Sequence, residues 1–195
     1  MTYLALGLLL FLGIHSVRIF AEDWRQKRLD TLGEAAWKGT YSLISVAGFA
    51  LIVWGYGVAR QAPVVLWVPP VGQRHAASLL TLVSFVLLAA TYVPANALKA
   101  RLKHPMVLGI KLWALAHLLS NGNLADVLLF GSFLLWAILS FRAARLRDAA
   151  AVVKAEITHS PASRTILTLV LGVVAWAAFA LWAHGPLIGV SPFGG

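Results

Sequence analysis

The chain alternates long apolar stretches with short, basic connections. Six stretches come close to the roughly 20 residues that a helix needs to cross about 30 Å of hydrocarbon. They cover residues 2–21, 39–59, 76–98, 105–121, 124–141 and 165–183, and the second, third and sixth contain no charged residue. No Ser/Gly/Pro-rich linker interrupts them. The pattern predicts an all-α fold in one domain, a polytopic membrane helix bundle with about six transmembrane helices.

The fourth and fifth stretches meet at Ser120-Asn121-Gly122-Asn123, a cluster typical of turns. These two stretches are therefore predicted to form a tight helical hairpin. Asp126 follows the turn closely and is predicted to cap the fifth helix rather than to take part in catalysis.

The distribution of basic residues predicts an orientation in the membrane. The chain has 16 Lys and Arg against 7 Asp and Glu, for a formal net charge of +9, and most of the basic residues lie in the first, third and fifth connections. By the positive-inside rule these connections face the cytoplasm of a cell inner membrane, with both termini on the non-cytoplasmic side. Because the charge is spread over several loops, the expected partner is the lipid bilayer and not nucleic acid.

Two further features of the sequence limit what the chain can bind. The fifth connection, about 142–164, mixes Ala, Arg and Lys with two acids and is predicted to extend the fifth helix as an amphipathic segment that contacts anionic lipid. The chain has no cysteine. Disulfides, thiolate metal sites and covalent haem attachment are therefore excluded.

Besides Asp126 near the start of the fifth stretch, four basic residues lie inside the apolar stretches, where charge is costly: His15, Arg18, Lys111 and His117. Arg18 can also reach the interface with its long side chain. Two histidines on different spans, without a nearby membrane-embedded carboxylate, favour a bound cofactor, because neutral imidazoles from two helices commonly hold b-type haem. His104, just before Pro105, is an equally close partner for His15 by estimated depth.

Several short motifs resemble the NnrU family of membrane proteins. They are Ile14-His15-Ser16, Tyr41-Ser42-Leu43, Trp54-Gly55-Tyr56, Leu66-Trp67-x-Pro69-Pro70 and, most specifically, Lys103-His104-Pro105-Met106-Val107-Leu108-Gly109, which continues through Leu112-Trp113-Ala114-Leu115-Ala116-His117-Leu118-Leu119 to Asn121-Gly122. The resemblance covers most of the chain and fades after about Arg147.

The resemblance implies a role in denitrification, in nitric oxide and nitrite reduction. It also implies a relation to the plant and cyanobacterial 15-cis-zeta-carotene isomerase, an integral membrane haem b enzyme, and hence His15 and His117 as haem ligands. Arg18 and Lys111 would then neutralise the haem propionates. The thiol of the plant branch has no counterpart, since the matching helix face offers Ala114. Carotene isomerisation is therefore not carried over, and whether the chain is an enzyme stays open.

Two rival interpretations remain. Lys103-His104-Pro105-Met106-x-x-Gly109 is also similar to the R-H-P-x-Y-x-G motif of isoprenylcysteine-type membrane methyltransferases, which bind S-adenosylmethionine. Those enzymes also carry a downstream acidic pair and a Tyr-rich segment ending in Arg, whereas the region after the fifth helix here offers only Asp148 and Glu156, so the second half of that site is missing. Alternatively, the chain is a non-enzymatic assembly factor for a respiratory nitrogen-oxide reductase.

Overall fold

The structure is a computed structural model that describes residues 1–70, 72–151 and 160–193. The described residues form an all-α fold, as predicted. The helices are α1 (Thr2–Phe20), α2 (Glu22–Ala59), α3 (Gly72–Tyr92), α4 (Ala97–Leu102), α5 (Pro105–Ser120), α6 (Leu124–Ala150) and α7 (Ala162–Ala178), followed by a π-helical segment (Phe179–Ala183) and α8 (His184–Ile188). Five helices are long and apolar enough to cross a membrane, and α5 is a shorter apolar helix.

The second helix starts earlier than predicted, because the basic connection before it is itself helical. α2 begins at Glu22, but Gly33 has φ 79° and ψ 160°, outside the helical region. Only glycine adopts such a backbone conformation at no steric cost. α2 therefore consists of two helical segments, 22–32 and 34–59, of which the second contains the predicted apolar span.

The third helix ends at Tyr92, and its predicted end at Leu98 was wrong. The residue before Pro94 is disfavoured in the α conformation, and the fully buried Asn96 then stabilises the turn. Its Nδ2 donates to the carbonyl oxygens of Ala90 and Val93 at 2.9 and 2.6 Å, while its Oδ1 accepts from the backbone N–H of Lys99 at 2.8 Å. Asn96 thus closes α3 and caps the start of α4.

α6 extends beyond the predicted apolar span to Ala150. At about 1.5 Å per residue its 27 residues span roughly 40 Å, more than the hydrocarbon thickness. The segment from Arg142 onward therefore continues as helix past the membrane-spanning part, as expected. The rest of the predicted amphipathic segment, residues 152–159 with Glu156, lies outside the described residues.

The chain divides into two compact units, and each is described by itself. Unit 1 comprises Met1–Val68 and Gly122–Ser140, and unit 2 comprises Pro69–Asn121 and Phe141–Gly195. In unit 1, α1 packs antiparallel against α2 through glycines. A Cβ added at Gly7, Gly48 or Gly55 would come closer than 3.0 Å to backbone atoms of the opposite helix. Small residues that let backbones approach are the usual contact between membrane helices.

In unit 2, α3 is the central helix and contacts both α5 and α7. Ser84 Oγ donates to the carbonyl oxygen of Gly109 at 2.8 Å, and Trp176 Nε1 donates to Thr81 Oγ1 at 3.1 Å. Gly172 of α7 lies against the backbone of Val86, where an added Cβ would clash. Hydrogen bonds and close packing together fix this three-helix group.

Candidate functional site

The first candidate residue, His15, lies on α1 in unit 1 and is half-buried. Its Nδ1 is 2.6 Å from the carbonyl oxygen of Phe11, one helical turn earlier. A carbonyl can only accept, so Nδ1 carries the proton and donates. In a neutral imidazole the other nitrogen, Nε2, then keeps its lone pair and is suited to bind a metal ion.

Three aromatic rings surround His15. Phe11 stacks on the imidazole with ring centroids 4.2 Å apart, Tyr41 of α2 lies at 5.1 Å, and Trp136 of α6 lies edge-on at 6.1 Å. The Nε1 atom of Trp136 is buried and has no hydrogen-bond partner among the described residues. An unsatisfied buried donor costs roughly 1–3 kcal/mol. We call His15, Phe11, Tyr41 and Trp136 the His15 cluster.

Arg18 lies one turn after His15, at the break between α1 and α2. Its side chain is largely exposed, with Nε 3.8 Å from Glu22 Oε2. The same carboxylate accepts from Arg25 Nη1 at 3.0 Å. Arg18 is therefore placed in an ion-pair cluster at a helix junction, and its expected role beside a haem propionate stays a prediction.

His117 lies on α5 in unit 2, and its neighbour His184 was not predicted as a site residue. The His117 ring centroid is 5.3 Å from that of Trp113 and 6.5 Å from that of His184. His184 Nδ1 is 2.7 Å from the carbonyl oxygen of Val190, so this imidazole also has its Nδ1 engaged. The sequence placed His184 beyond the last span, whereas the π-helical segment before it continues the helix. Such π-helical turns are frequent at functional sites.

His104, the alternative partner, is held by a carboxylate. Its Nε2 lies 3.0 Å from Asp148 Oδ2, which also faces Lys103 Nζ at 3.8 Å and Arg145 Nη1 at 4.0 Å. Desolvation alone would raise the pKa of Asp148. The hydrogen bond with His104 and the positive charges of His104, Lys103 and Arg145 together outweigh it, so the pKa of Asp148 lies below its ordinary value. These contacts bring the third and fifth connections to one side of unit 2.

Lys111 lies on α5 in unit 2, where its Nζ is 5.1 Å from the ring centroid of Phe141. It also lines an apolar cavity of about 430 Å³. His104 contacts the same phenylalanine ring edge-on, at 6.2 Å. Within unit 2 the structure therefore brings His104 and Lys111 to a shared aromatic neighbour.

Asp126 plays a structural role, close to the one predicted. It is 2% exposed, and its Oδ1 accepts from Tyr56 Oη at 2.5 Å. Its Oδ2 accepts from the backbone N–H and the side-chain amide of Asn123, at 3.2 and 2.9 Å. Asn123 precedes the first residue of α6, and Asp126 reaches back to it as in a capping box. Asp126 thus fastens the start of α6 to α2.

In residues 1–70, 72–151 and 160–193, no group of three or more His, Cys, Asp or Glu side chains could hold a metal ion.

Comparison with known families supports the sequence resemblance. A family model described as NnrU protein matches residues 3–192. The match continues past Arg147, where the resemblance of the motifs fades. No curated protein matches the chain. No solved structure matches it either. The relation to zeta-carotene isomerase stays a prediction.

Proposed function

The chain belongs to the NnrU family, and we propose that it is a multi-pass inner-membrane protein that binds haem b through His15 and acts in nitrogen-oxide metabolism. The observation that carries the haem proposal is the hydrogen bond from His15 Nδ1 to the Phe11 carbonyl oxygen. Histidines that ligate metals almost always donate their other ring N–H to a carbonyl, carboxylate or water. The bond orients the imidazole and leaves Nε2 as the ligand atom.

The surroundings of His15 fit a flat, apolar group with polar edges. Phe11, Tyr41 and Trp136 offer aromatic surface close to the imidazole. The buried Nε1 of Trp136, without a partner among the described residues, would gain an acceptor from a bound group. When bound, haem would supply an iron centre able to transfer an electron or bind nitric oxide.

The second ligand is proposed to be His117, on the strength of the family motif in α5. Of the two candidates in unit 2, His104 has its Nε2 engaged by Asp148 at 3.0 Å. His117 has aromatic neighbours in Trp113 and His184. The hydrogen bond at Nε2 of His104 leaves Nδ1 as its ligand atom, so these contacts do not separate the two histidines and the preference for His117 rests on the family motif.

The haem proposal is tested by optical spectroscopy of protein purified from haem-replete cells. The wild type should carry a Soret band that shifts on reduction and on exposure to nitric oxide. His15→Ala and His117→Ala should each retain at least about tenfold less haem, because even the loss of an outer-shell partner of a metal ligand costs about 10–100-fold in affinity. His75→Ala, at an exposed position near the start of α3, is the control and should keep the band. Purified protein without a Soret band, or with a band unchanged in both variants, contradicts the proposal.

The role in nitrogen-oxide metabolism rests on the family and is tested separately. The protein would act beside a respiratory nitrogen-oxide reductase, either as a redox partner or as an assembly factor. Deleting the chain should lower nitric oxide or nitrite reduction by membranes, and His15→Ala should reproduce that defect only if the haem is needed. Rescue of the deletion by His15→Ala would instead favour the non-enzymatic assembly role.

One observation favours methyl transfer as a second candidate. Asp148 contacts both Lys103 and His104 of the Lys103-His104-Pro105 motif, so an acidic group does lie beside the segment that resembles the methyltransferase motif. Titration of the detergent-purified protein with S-adenosylmethionine in a calorimeter tests it. Binding that is lost in His104→Ala would support this function, and an absence of heat would exclude it.

A further inference from the structure

The cavity of unit 2 is almost completely apolar. It has a volume of about 430 Å³ and lies among α3, α4, α5 and α7. Eight of its nine lining residues are valine or leucine, among them Leu87, Leu98, Leu108 and Leu169, and the ninth is Lys111. Its volume falls within the roughly 300–1,000 Å³ that small-molecule sites usually have. Such walls suit a hydrocarbon chain.

The charge on Lys111 is poorly compensated by the protein. Its Nζ lies over the Phe141 ring at 5.1 Å, a cation–π contact that stabilises a charge less than a paired carboxylate does. Within the described ranges, no carboxylate lies within the 4.0 Å of an ion pair with Lys111. An ammonium group beside an apolar cavity is costly to desolvate and attracts an anion. The cavity therefore offers space for an acyl chain beside one cation, because the aliphatic stem of Lys111 borders the cavity while its Nζ lies over Phe141.

Lys111 lies within the first two turns of α5. It lies six residues past Pro105, where α5 begins, or roughly 9 Å along the helix axis. The start of α5 follows α4, which carries Lys99 and Arg101 and is followed by Lys103. Lys99 Nζ donates to the carbonyl oxygen of Thr91 at 2.8 Å, so its charge is held at the end of α3. Basic residues thus cluster on the side of the cavity from which α5 begins.

We propose that this cavity binds an anionic phospholipid, with one acyl chain against the leucines and the phosphate paired with Lys111. Clusters of Lys and Arg beside membrane helices attract anionic lipids. α4 connects such a cluster to the cavity, because its Leu98 and Leu102 line the cavity and its Lys99 and Arg101 belong to the basic cluster. A soluble anion would leave the aliphatic walls without a partner. The proposal does not depend on haem binding.

Lipid exchange into the full-length protein tests the site. The detergent-purified chain is equilibrated with phosphatidylglycerol or phosphatidylcholine, and the lipid retained is counted by native mass spectrometry. The wild type should retain phosphatidylglycerol preferentially, and Lys111→Met should reduce that preference about tenfold, since a charge-assisted hydrogen bond is worth about one decade in affinity or more. Lys111→Arg should keep it. Lys38→Met, at an exposed lysine paired with Glu34, is the matched control and should behave as the wild type.

Two further measurements separate a lipid site from its alternatives. Leu169→Trp, which fills the cavity, should release the lipid while thermal unfolding stays cooperative, and inorganic phosphate should not displace it. Equal retention of both lipids by the wild type, or unchanged preference in Lys111→Met, overturns the proposal. Loss of a Soret band in Lys111→Met with lipid preference intact also overturns it, because Lys111 would then serve a haem propionate instead.

Discussion

Each unit contains a carboxylate that organises its neighbours, and the two are stabilised in different ways. Asp126 in unit 1 is 2% exposed and accepts hydrogen bonds from neutral donors, the hydroxyl of Tyr56 and the amides of Asn123. Asp148 in unit 2 has a side chain 27% exposed and faces His104, Lys103 and Arg145. Hydrogen bonds from neutral groups fix the first carboxylate, whereas the second combines a hydrogen bond with His104 and attraction to the charges of Lys103 and Arg145.

The two units also differ in how much space their packed helices leave. In unit 1 the glycines of α1 and α2 bring the two backbones into contact and leave no room for a side chain. In unit 2 four helices leave a cavity of about 430 Å³ with a cation on its wall. Close packing and hydrogen bonds occur in both units, since Gly172 also lies against Val86 and Ser84 donates to Gly109 in unit 2. Unit 2 combines charge with unfilled space, which makes it the part of the chain in which a charged, flexible ligand is expected.

The largest expected effect is loss of the glycine contact in unit 1. Gly55→Ala should lower the free energy of unfolding by about 1–3 kcal/mol, because the added Cβ would meet the backbone of Tyr3 and Leu4. Gly57→Ala is the matched control, since nothing lies within 4 Å of its added Cβ. It should change stability by less than about 1 kcal/mol. Thermal unfolding in detergent measures both, and equal stability of the two variants would mean that α1 and α2 do not pack through Gly55.

The next largest effect concerns the buried carboxylate of unit 1. Asp126→Ala should cost about 1–3 kcal/mol, because it leaves the Tyr56 hydroxyl and the Asn123 amides without an acceptor. Tyr56→Phe should cost less, and the double variant should cost less than the sum of the two. Additive losses in this double-mutant cycle, measured by thermal unfolding, would contradict a direct bond. Asp23→Ala, at an exposed position of the 22–32 segment, controls for loss of charge alone.

Much of the fold was predictable because apolar runs and strong turn residues are local signals. The starts of α5 and α6 were predicted to the residue, since Pro105 favours the first turn of a helix and Asn123 with Asp126 forms a capping pattern. The helical segment 22–32 was missed, because its sequence is polar and only the positive φ of Gly33 separates it from the span. Pro94 is a local signal for the early end of α3, but the turn that follows also depends on the hydrogen bonds of the buried Asn96 to the carbonyl oxygens of Ala90 and Val93, which the sequence does not show.

The candidate sites likewise have some features that the sequence shows and others that depend on the tertiary fold. His15, His117 and Lys111 stand out in the sequence because ionisable residues in apolar stretches are rare. The proximity of His184 to His117, the unsatisfied Nε1 of Trp136 and the cavity beside Lys111 could not be read from the sequence. Each is a property of packed helices, because hydrogen-bond satisfaction and empty volume depend on which side chains the tertiary fold brings together.

The smallest expected effect distinguishes the carboxylate of unit 2 from that of unit 1 by its dependence on pH and salt. The pKa of Asp148 is lowered in the folded state, so its ionised form contributes stability above its unfolded pKa of about 3.9, and this is lost as the pH falls through the lower folded value. The stability difference between wild type and Asp148→Asn should therefore shrink as the solution becomes more acidic than about pH 5 and diminish in high salt, because exposed charges are screened. The difference between wild type and Asp126→Asn should be insensitive to salt. Chemical denaturation at several pH values and salt concentrations measures both, and an equal response to salt would remove the contrast between the units.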